Sequence, residues 1–272
     1  RFLIRAATNI SRSVGQVHES RCVIGDINHS GILVSGDATI SLIDADSFQF
    51  DTATRRFPCV VGVPDFTPPE LQGTNLGKAI RQRTHDYFGL AVAIFQLLFM
   101  GRHPYAGRFS GSEMSLDQAI ANNLFAYSKR RSNGMTHPDH APTLDDFPDS
   151  IRDGFERAFG IDPLRRPTPN EWISALVHLE RHLNRCGMNS SHYYPSSGTS
   201  CPWCRMETSA GIVLFVGGFS GTTVHGNSLD SFDIEATLRD IDGAFIPQLN
   251  SLNPIFSFPA KTNSPSHEAI SE

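Results

Sequence analysis

Apolar residues recur at helical spacing from the start of the chain: Leu3, Ala7, Ile10, Val14 and Val17. Steps of four and three put them on one stripe, which predicts an amphipathic helix over residues 1 to about 19. The pattern then changes to two short apolar runs, Gly31 to Val34 and Thr39 to Ile43. Ser35, Gly36 and Asp37 between them are turn residues, so a β-hairpin is expected. Residues 51–85 mix Pro, Gly, Arg and Thr without a period and read as an ordered loop. From Asp86 to Met100 the chain is apolar nearly all round, the signature of a helix buried on every side, and Gly101-Arg102-His103-Pro104 ends it. Weaker helical patterns cover 115–127 and 150–159. Thr168-Pro169-Asn170-Glu171 fits a capping box with proline at the first helical position. Trp172, Leu176, Leu179 and Leu183 then mark the buried face of that helix. After Arg185 the composition shifts to Ser, Gly, Tyr and Cys, with a strand expected at Ile212 to Val216. Beyond Gly217, Gly, Ser, Asn and Pro predominate, and a mobile tail is expected from about residue 250.

Length and charge narrow the classes. A chain of 272 residues suits one large domain or two small ones. With 39% hydrophobic and 19% charged residues it has the composition of a globular protein, which excludes wholesale disorder. A net charge of -5 argues against a polyanion-binding surface spread over the molecule, so nucleic acid is not an expected partner. No apolar run reaches the ~18–20 residues of a membrane span, and the start has no secretory pattern. A cytoplasmic protein with no membrane partner is therefore expected.

Two constellations carry candidate chemistry. Asp26, in Ile24-Gly25-Asp26-Ile27-Asn28, precedes the hairpin, and Asp44, in Leu42-Ile43-Asp44-Ala45-Asp46, follows it. A hairpin brings its two ends together, which suits a base beside a metal-binding carboxylate. Aspartate is equally common in turns, so the pair alone leaves both readings open. The second constellation is Cys186-x5-His192-x8-Cys201-x2-Cys204. Thiolates two residues apart in a tight turn can face one tetrahedral ion, and a preceding Cys and His complete four ligands. A closed set of this kind would hold a structural Zn2+. His178 and His182 compete with His192 as the fourth ligand, and free cysteines in a loose loop are the alternative. Cys22 and Cys59 have apolar neighbours and are expected to be buried core thiols. His103 is expected to be a helix-terminus residue, and Lys129-Arg130-Arg131 a solvated surface run.

The order of motifs adds to this. A helix leads to Gly25-Asp26-x-Asn28, a hairpin, and Ile43-Asp44-x-Asp46. A loop ending Thr67-Pro68-Pro69-Glu70, a buried helix opening with Asp86, and Asp162-Pro163-Leu164-Arg165-Arg166-Pro167 follow. Over residues 1–183 this resembles the C-terminal lobe of a protein kinase. More narrowly it is similar to bacterial kinase-like proteins that carry Gly-Asp-x-Asn, Ile-Asp-x-Asp-Ser-Phe-Gln, Thr-Pro-Pro-Glu-Leu-Gln-Gly and Cys-Pro-Trp-Cys. Those sequences stand here at 25–28, 43–49, 67–73 and 201–204.

The resemblance implies a mainly α kinase C-lobe over 1–185 with a short hairpin at the catalytic loop. A zinc-binding segment over 186–216 and a largely irregular tail over 217–272 would follow. It implies that Asp26 is the base that accepts the substrate hydroxyl proton and that Asp44 holds Mg2+ against the phosphates of ATP. Glu70 and Arg166 would form a buried stabilising pair, and Asp86 would fasten the catalytic-loop backbone. The usual second magnesium ligand, five residues after the base, is here Gly31, and Asn28 is the residue that could take its place. The usual His-Arg before the base is Ile24-Gly25. No Gly-rich loop or strand lysine precedes Asp26, so an N-lobe is absent and this chain alone is expected to transfer phosphate negligibly. Together with a start at Arg1, this makes the expectation a fragment of a longer protein serine/threonine kinase. A pseudokinase or interaction scaffold with a structural zinc is the alternative.

Overall fold

The computed structural model describes residues 1–215, and the expected tail at 217–272 lies outside the described residues. The described residues fall within one compact unit. Among the described residues the architecture is mainly helical, with strands only as two-stranded antiparallel ribbons. In chain order the elements are α1 (Phe2–Glu19), β1 (Ile32–Val34), β2 (Ile40–Leu42), β3 (Phe50–Asp51), β4 (Arg56–Phe57) and α2 (Arg83–Leu98). Then come β5 (Arg108–Phe109), α3 (Leu116–Ala121), β6 (Met135–Thr136), α4 (Asp149–Ala158), α5 (Pro169–Arg181), β7 (Leu183–Arg185), β8 (Tyr193–Pro195) and α6 (Pro202–Ala210).

Helix α2 is the centre of the core. Phe88, Leu90, Ala91, Val92, Ile94 and Phe95 are all buried, covering its whole circumference. Phe95, Phe99, Phe125, Tyr127, Phe155 and Phe159 pack edge-to-face and stacked around it, a geometry that adds to their area burial. Helix α1 lies against α5 and α2. Its buried face is Ile4, Ala7, Ile10, Val14 and His18. Leu3 is exposed and Ile4 sits in the place predicted for it, while Val17 is half-buried. Helix α5 starts as predicted: Thr168 N donates to Glu171 Oε2 at 2.8 Å, and Glu171 N donates back to the Thr168 hydroxyl at 3.4 Å. Trp172, Leu176 and Leu179 are buried, whereas Leu183 belongs to β7 and is half-buried.

Other boundaries differ for local reasons. Helix α2 begins three residues before Asp86, because Gln82 caps it by exchanging hydrogen bonds with His85. The stretch expected to be helical over 115–127 stops at Ala121, where Asn122 and Asn123 end it, Asn123 with φ of 54°. The turns that follow bury Phe125 and Tyr127. No strand forms over 212–215, since the Leu214 and Phe215 N–H groups both donate to the Glu207 carboxylate instead of a ladder. Cys201-Pro202-Trp203-Cys204 is not a free turn but the first turn of α6, with Pro202 at N1. Cys59 is buried as expected, but Cys22 is only partly so. In the Lys129–Arg131 run, Lys129 and Arg130 are exposed but paired, with Asp145 and Asp153, and the half-buried Arg131 donates to the Phe159 carbonyl. Among the described residues no helix is long and apolar enough to cross a membrane.

Candidate functional site

The hairpin of β1 and β2 pairs Ile32 with Leu42 and Val34 with Ile40. Its open end therefore carries the segments on either side, and Asp26, Asn28, Gly31 and Asp44 line one small cavity of about 30 Å³. Ile24, Ile27, Ile32, Leu42 and Phe48 form its apolar wall. Asp26 is half-buried, and its Oδ1 accepts from Asn28 Nδ2 at 2.9 Å and from the Val63 N–H at 3.1 Å. Among the described residues Oδ2 has no such donor, so one oxygen is held in place and the other is unengaged. Asn28 is buried and its amide oxygen accepts from Ser30 N at 2.8 Å and Gly31 N at 3.3 Å. Asp44 is exposed, in the left-handed region with φ of 59°, and its side chain makes no hydrogen bond among the described residues. An unencumbered carboxylate at a cavity rim is the kind of oxygen ligand that suits Mg2+.

Asp86 sits beneath this loop. Its Oδ1 accepts from Gly25 N at 2.7 Å, and its Oδ2 from Ile24 N at 2.8 Å. His18, at the end of α1, places Nε2 2.8 Å from the same Oδ2. Three partners satisfy a carboxylate that is almost wholly buried, which is what lets it remain there. Gly25 has φ of +77°, and a Cβ there would lie 2.6 Å from Cys59 Cβ. No larger residue fits that turn. Gly89 on α2 likewise lets Ile27 approach: a Cβ would meet the Ile27 carbonyl at 3.1 Å.

Glu70 and Arg166, 96 residues apart, meet in a bidentate pair with contacts of 2.6 and 2.8 Å. Arg166 Nη1 also donates to the Thr84 carbonyl at 3.0 Å, and the guanidinium carbon lies 5.3 Å from the centre of the Phe88 ring. Burial pushes the Glu70 carboxyl up, but the Arg166 hydrogen bonds and charge outweigh it and hold the group below its ordinary range. His103 is buried at the end of α2 with Nε2 2.9 Å from the Asp65 carbonyl, and burial lowers its pKa.

The second constellation also assembles. Ligand atoms of Cys186, His192, Cys201 and Cys204 all lie within 4.8 Å of one another. Cys186 Sγ is 3.5 Å from Cys204 Sγ, and His192 Nδ1 is 3.4 Å from Cys204 Sγ and 3.7 Å from Cys201 Sγ. With Zn–S of about 2.3 Å and Zn–N of about 2.0 Å, the edges of a tetrahedron are roughly 3.5–3.8 Å. The donor set fits a zinc ion. His178 and His182 stack on each other at 4.1 Å, and neither belongs to this ligand group, so His192 takes the fourth place. The β7–β8 ribbon supplies Cys186 just after one strand and His192 just before the other, and α6 supplies the remaining thiols. His192 Nε2 faces Glu207 Oε1 at 3.2 Å, the arrangement that fixes a ligand histidine's tautomer and ring. Without an ion, backbone N–H groups of Asn189 and Met188 pull the Cys186 thiol down to about 6, while burial pushes Cys201 up and Cys204 up to about 12.

Sequence reasoning did not find His18, Arg81, the Val63 N–H or Glu207. The first continues the buried stripe of α1, and Glu207 stands one turn beyond Cys204 on α6; these spacings are the signals that could have found them.

No protein-family model matches the chain. It is similar to protein kinase YegI of Escherichia coli O157:H7, 38% identical over 221 residues, covering 79% of this chain and 34% of that protein. Protein kinase YegI of Escherichia coli strain K12 is 37% identical over the same length and shares. Both of these relatives are named as protein kinases. The chain spans about a third of the length of these curated relatives.

Proposed function

We propose that the native polypeptide carrying this chain transfers a phosphoryl group from ATP to a protein serine or threonine. The observation that carries this reading is the single cavity lined by Asp26, Asn28 and Asp44, beside a loop tied down by Asp86. ATP with Mg2+ supplies the transferable group when bound. Asp44 would hold the metal, and Asp26 Oδ2 would accept the proton of the acceptor hydroxyl as the hydroxyl oxygen bonds to the γ-phosphorus and the electron pair of the broken P–O bond leaves with ADP. Asn28 would keep the Asp26 carboxylate turned toward the acceptor. Residues 1–185 would act as the C-lobe, with Glu70 and Arg166 holding its activation segment in place. Residues 186–216 would be a zinc-braced extension whose cysteines, none of them in a disulfide, suit a reducing, cytoplasmic setting.

A second reading, a pseudokinase or scaffold, draws support from Gly31 and Asn28. Glycine offers no ligand, and the Asn28 amide oxygen is already engaged by two backbone N–H groups. One assay separates the two: phosphate transfer from γ-labelled ATP by the native polypeptide, wild type against Asp44→Asn. Asparagine tolerates the left-handed backbone and Asp44 is exposed, so stability should move by no more than about 0.5 kcal/mol. The kinase reading expects transfer to vanish at an unchanged midpoint. Equal transfer by both proteins, or none by the wild type, refutes it.

A further inference from the structure

Arg81 is buried to within 3% of its surface, yet among the described residues no carboxylate pairs with it and its Nε has no partner. A guanidinium taken out of water without an anion is costly, so its remaining contacts must position something. They form a closed circuit around the candidate site. Arg81 N donates to Gln49 Oε1 at 2.8 Å, and Gln49 Nε2 donates back to the Arg81 carbonyl at 2.8 Å. The Gln49 backbone exchanges both hydrogen bonds with Val23, at 2.8 Å each, at the entrance to the Asp26 loop. From the other end of the side chain, Nη2 donates to the Val61 carbonyl at 2.7 Å. Two residues on, the Val63 N–H donates to Asp26 Oδ1. Gly25 leaves the room: a Cβ there would lie 3.0 Å from Arg81 Cγ, and one at Gly62 would lie 3.1 Å from Arg81 Nη2.

We propose that Arg81 is a positioning residue, whose buried guanidinium holds the Val61 carbonyl and thereby fixes the Val63 N–H that orients Asp26. The position before Asp26 is a glycine, so this cation reaches the loop from the far end of the 51–82 segment rather than from the loop itself. The role rests on the kinase reading for its consequence in catalysis, but not for its geometry.

The test therefore has two readouts. Amide hydrogen exchange of the 272-residue chain reports the geometry, and steady-state phosphate transfer by the native polypeptide reports the consequence. Arg81→Met keeps the bulk and removes the donor. It should speed exchange of the Val63 amide by about tenfold relative to amides of α2, and lower kcat by about tenfold at an unchanged KM for ATP. Arg81→Lys, which keeps a donor for the Val61 carbonyl, should recover most of both. Arg81→Gln, uncharged and shorter, serves if Arg81→Met does not fold. Unchanged Val63 exchange overturns the proposal whatever the activity. Faster exchange with unchanged kcat in an active protein overturns the positioning role. Faster exchange in Arg81→Met, together with a wild type that transfers no phosphate, supports the brace and refutes the kinase reading instead.

Discussion

Removing the two halves of the Glu70–Arg166 pair should have unequal effects. The Arg166 side chain is 1% exposed and that of Glu70 is 30% exposed, so only one partner can recover water by itself. Glu70→Ala strands a buried guanidinium with the Thr84 carbonyl and the Phe88 face as its remaining contacts. Breaking a buried pair from one side costs roughly 3–5 kcal/mol, and the surviving contacts put this case near about 3 kcal/mol. For a domain of this size that is a midpoint lower by about 6–12 °C. Arg166→Met fills the same volume without a charge and lets Glu70 turn to solvent, so its cost should be only about 1–2 kcal/mol. Added to Glu70→Ala, it should partly rescue the single variant. The pH dependence has a defined sign. The folded Glu70 pKa lies below its ordinary value of 4.5, so the pair's contribution is full above that value and is lost as pH falls through the folded one. The gap between wild type and Glu70→Ala should therefore close in acid. Thermal unfolding of the four proteins across roughly pH 3 to 7, a range that brackets the ordinary Glu70 value of 4.5, measures all of this. A double variant less stable than Glu70→Ala, or a gap that widens in acid, would show that the pair does not hold the buried charge in this way.

The remaining expectations concern the loop and the cysteine cluster. Gly25→Ala forces a left-handed alanine against Cys59 and should cost about 2–4 kcal/mol, while Cys59→Gly in the same chain should return part of it; equal unfolding midpoints for wild type and Gly25→Ala would contradict the steric account. Metal analysis should find about one zinc per chain, lost in Cys201→Ser, and a folded metal-free protein would sink the site. With Cys186 held near 6 and the other two thiols raised, zinc loading at pH 7 should release about two protons, readable by titration in buffers of different ionisation enthalpy. Glu207→Gln should weaken zinc by about 10–100-fold in a chelator competition, and an unchanged affinity would show that the His192–Glu207 contact is incidental.

Much of the fold could be read from one-dimensional pattern, because its signals are local. The α5 capping box, the all-round apolar run of α2 and the β1–β2 turn each lie within a few residues. The Glu70–Arg166 contact spans 96 residues and no pattern announces it; only the order of motifs pointed there. The Cys201–Cys204 turn was legible as ligand chemistry but not as a helix start, although Pro202 supplies that signal. Residues 212–215 read as a strand because a short apolar run cannot reveal that a carboxylate, Glu207, has taken the Leu214 and Phe215 N–H groups. Arg81 was illegible for a different reason. Sequence gives a charged residue in a polar loop, and its burial follows from glycines at 25 and 62 whose role is to leave space.

Manganese binding reads the role of Asp44 most directly, because that side chain is assigned to the metal and not to the fold. Paramagnetic resonance of Mn2+ titrated into the native polypeptide with ADP, wild type against Asp44→Asn, reads that assignment without requiring an acceptor protein. If Asp44 holds the metal, Mn2+ should bind the wild type in a nucleotide-dependent way and the variant at least about tenfold more weakly, the scale of removing one charged ligand. Identical binding by the two proteins would contradict it.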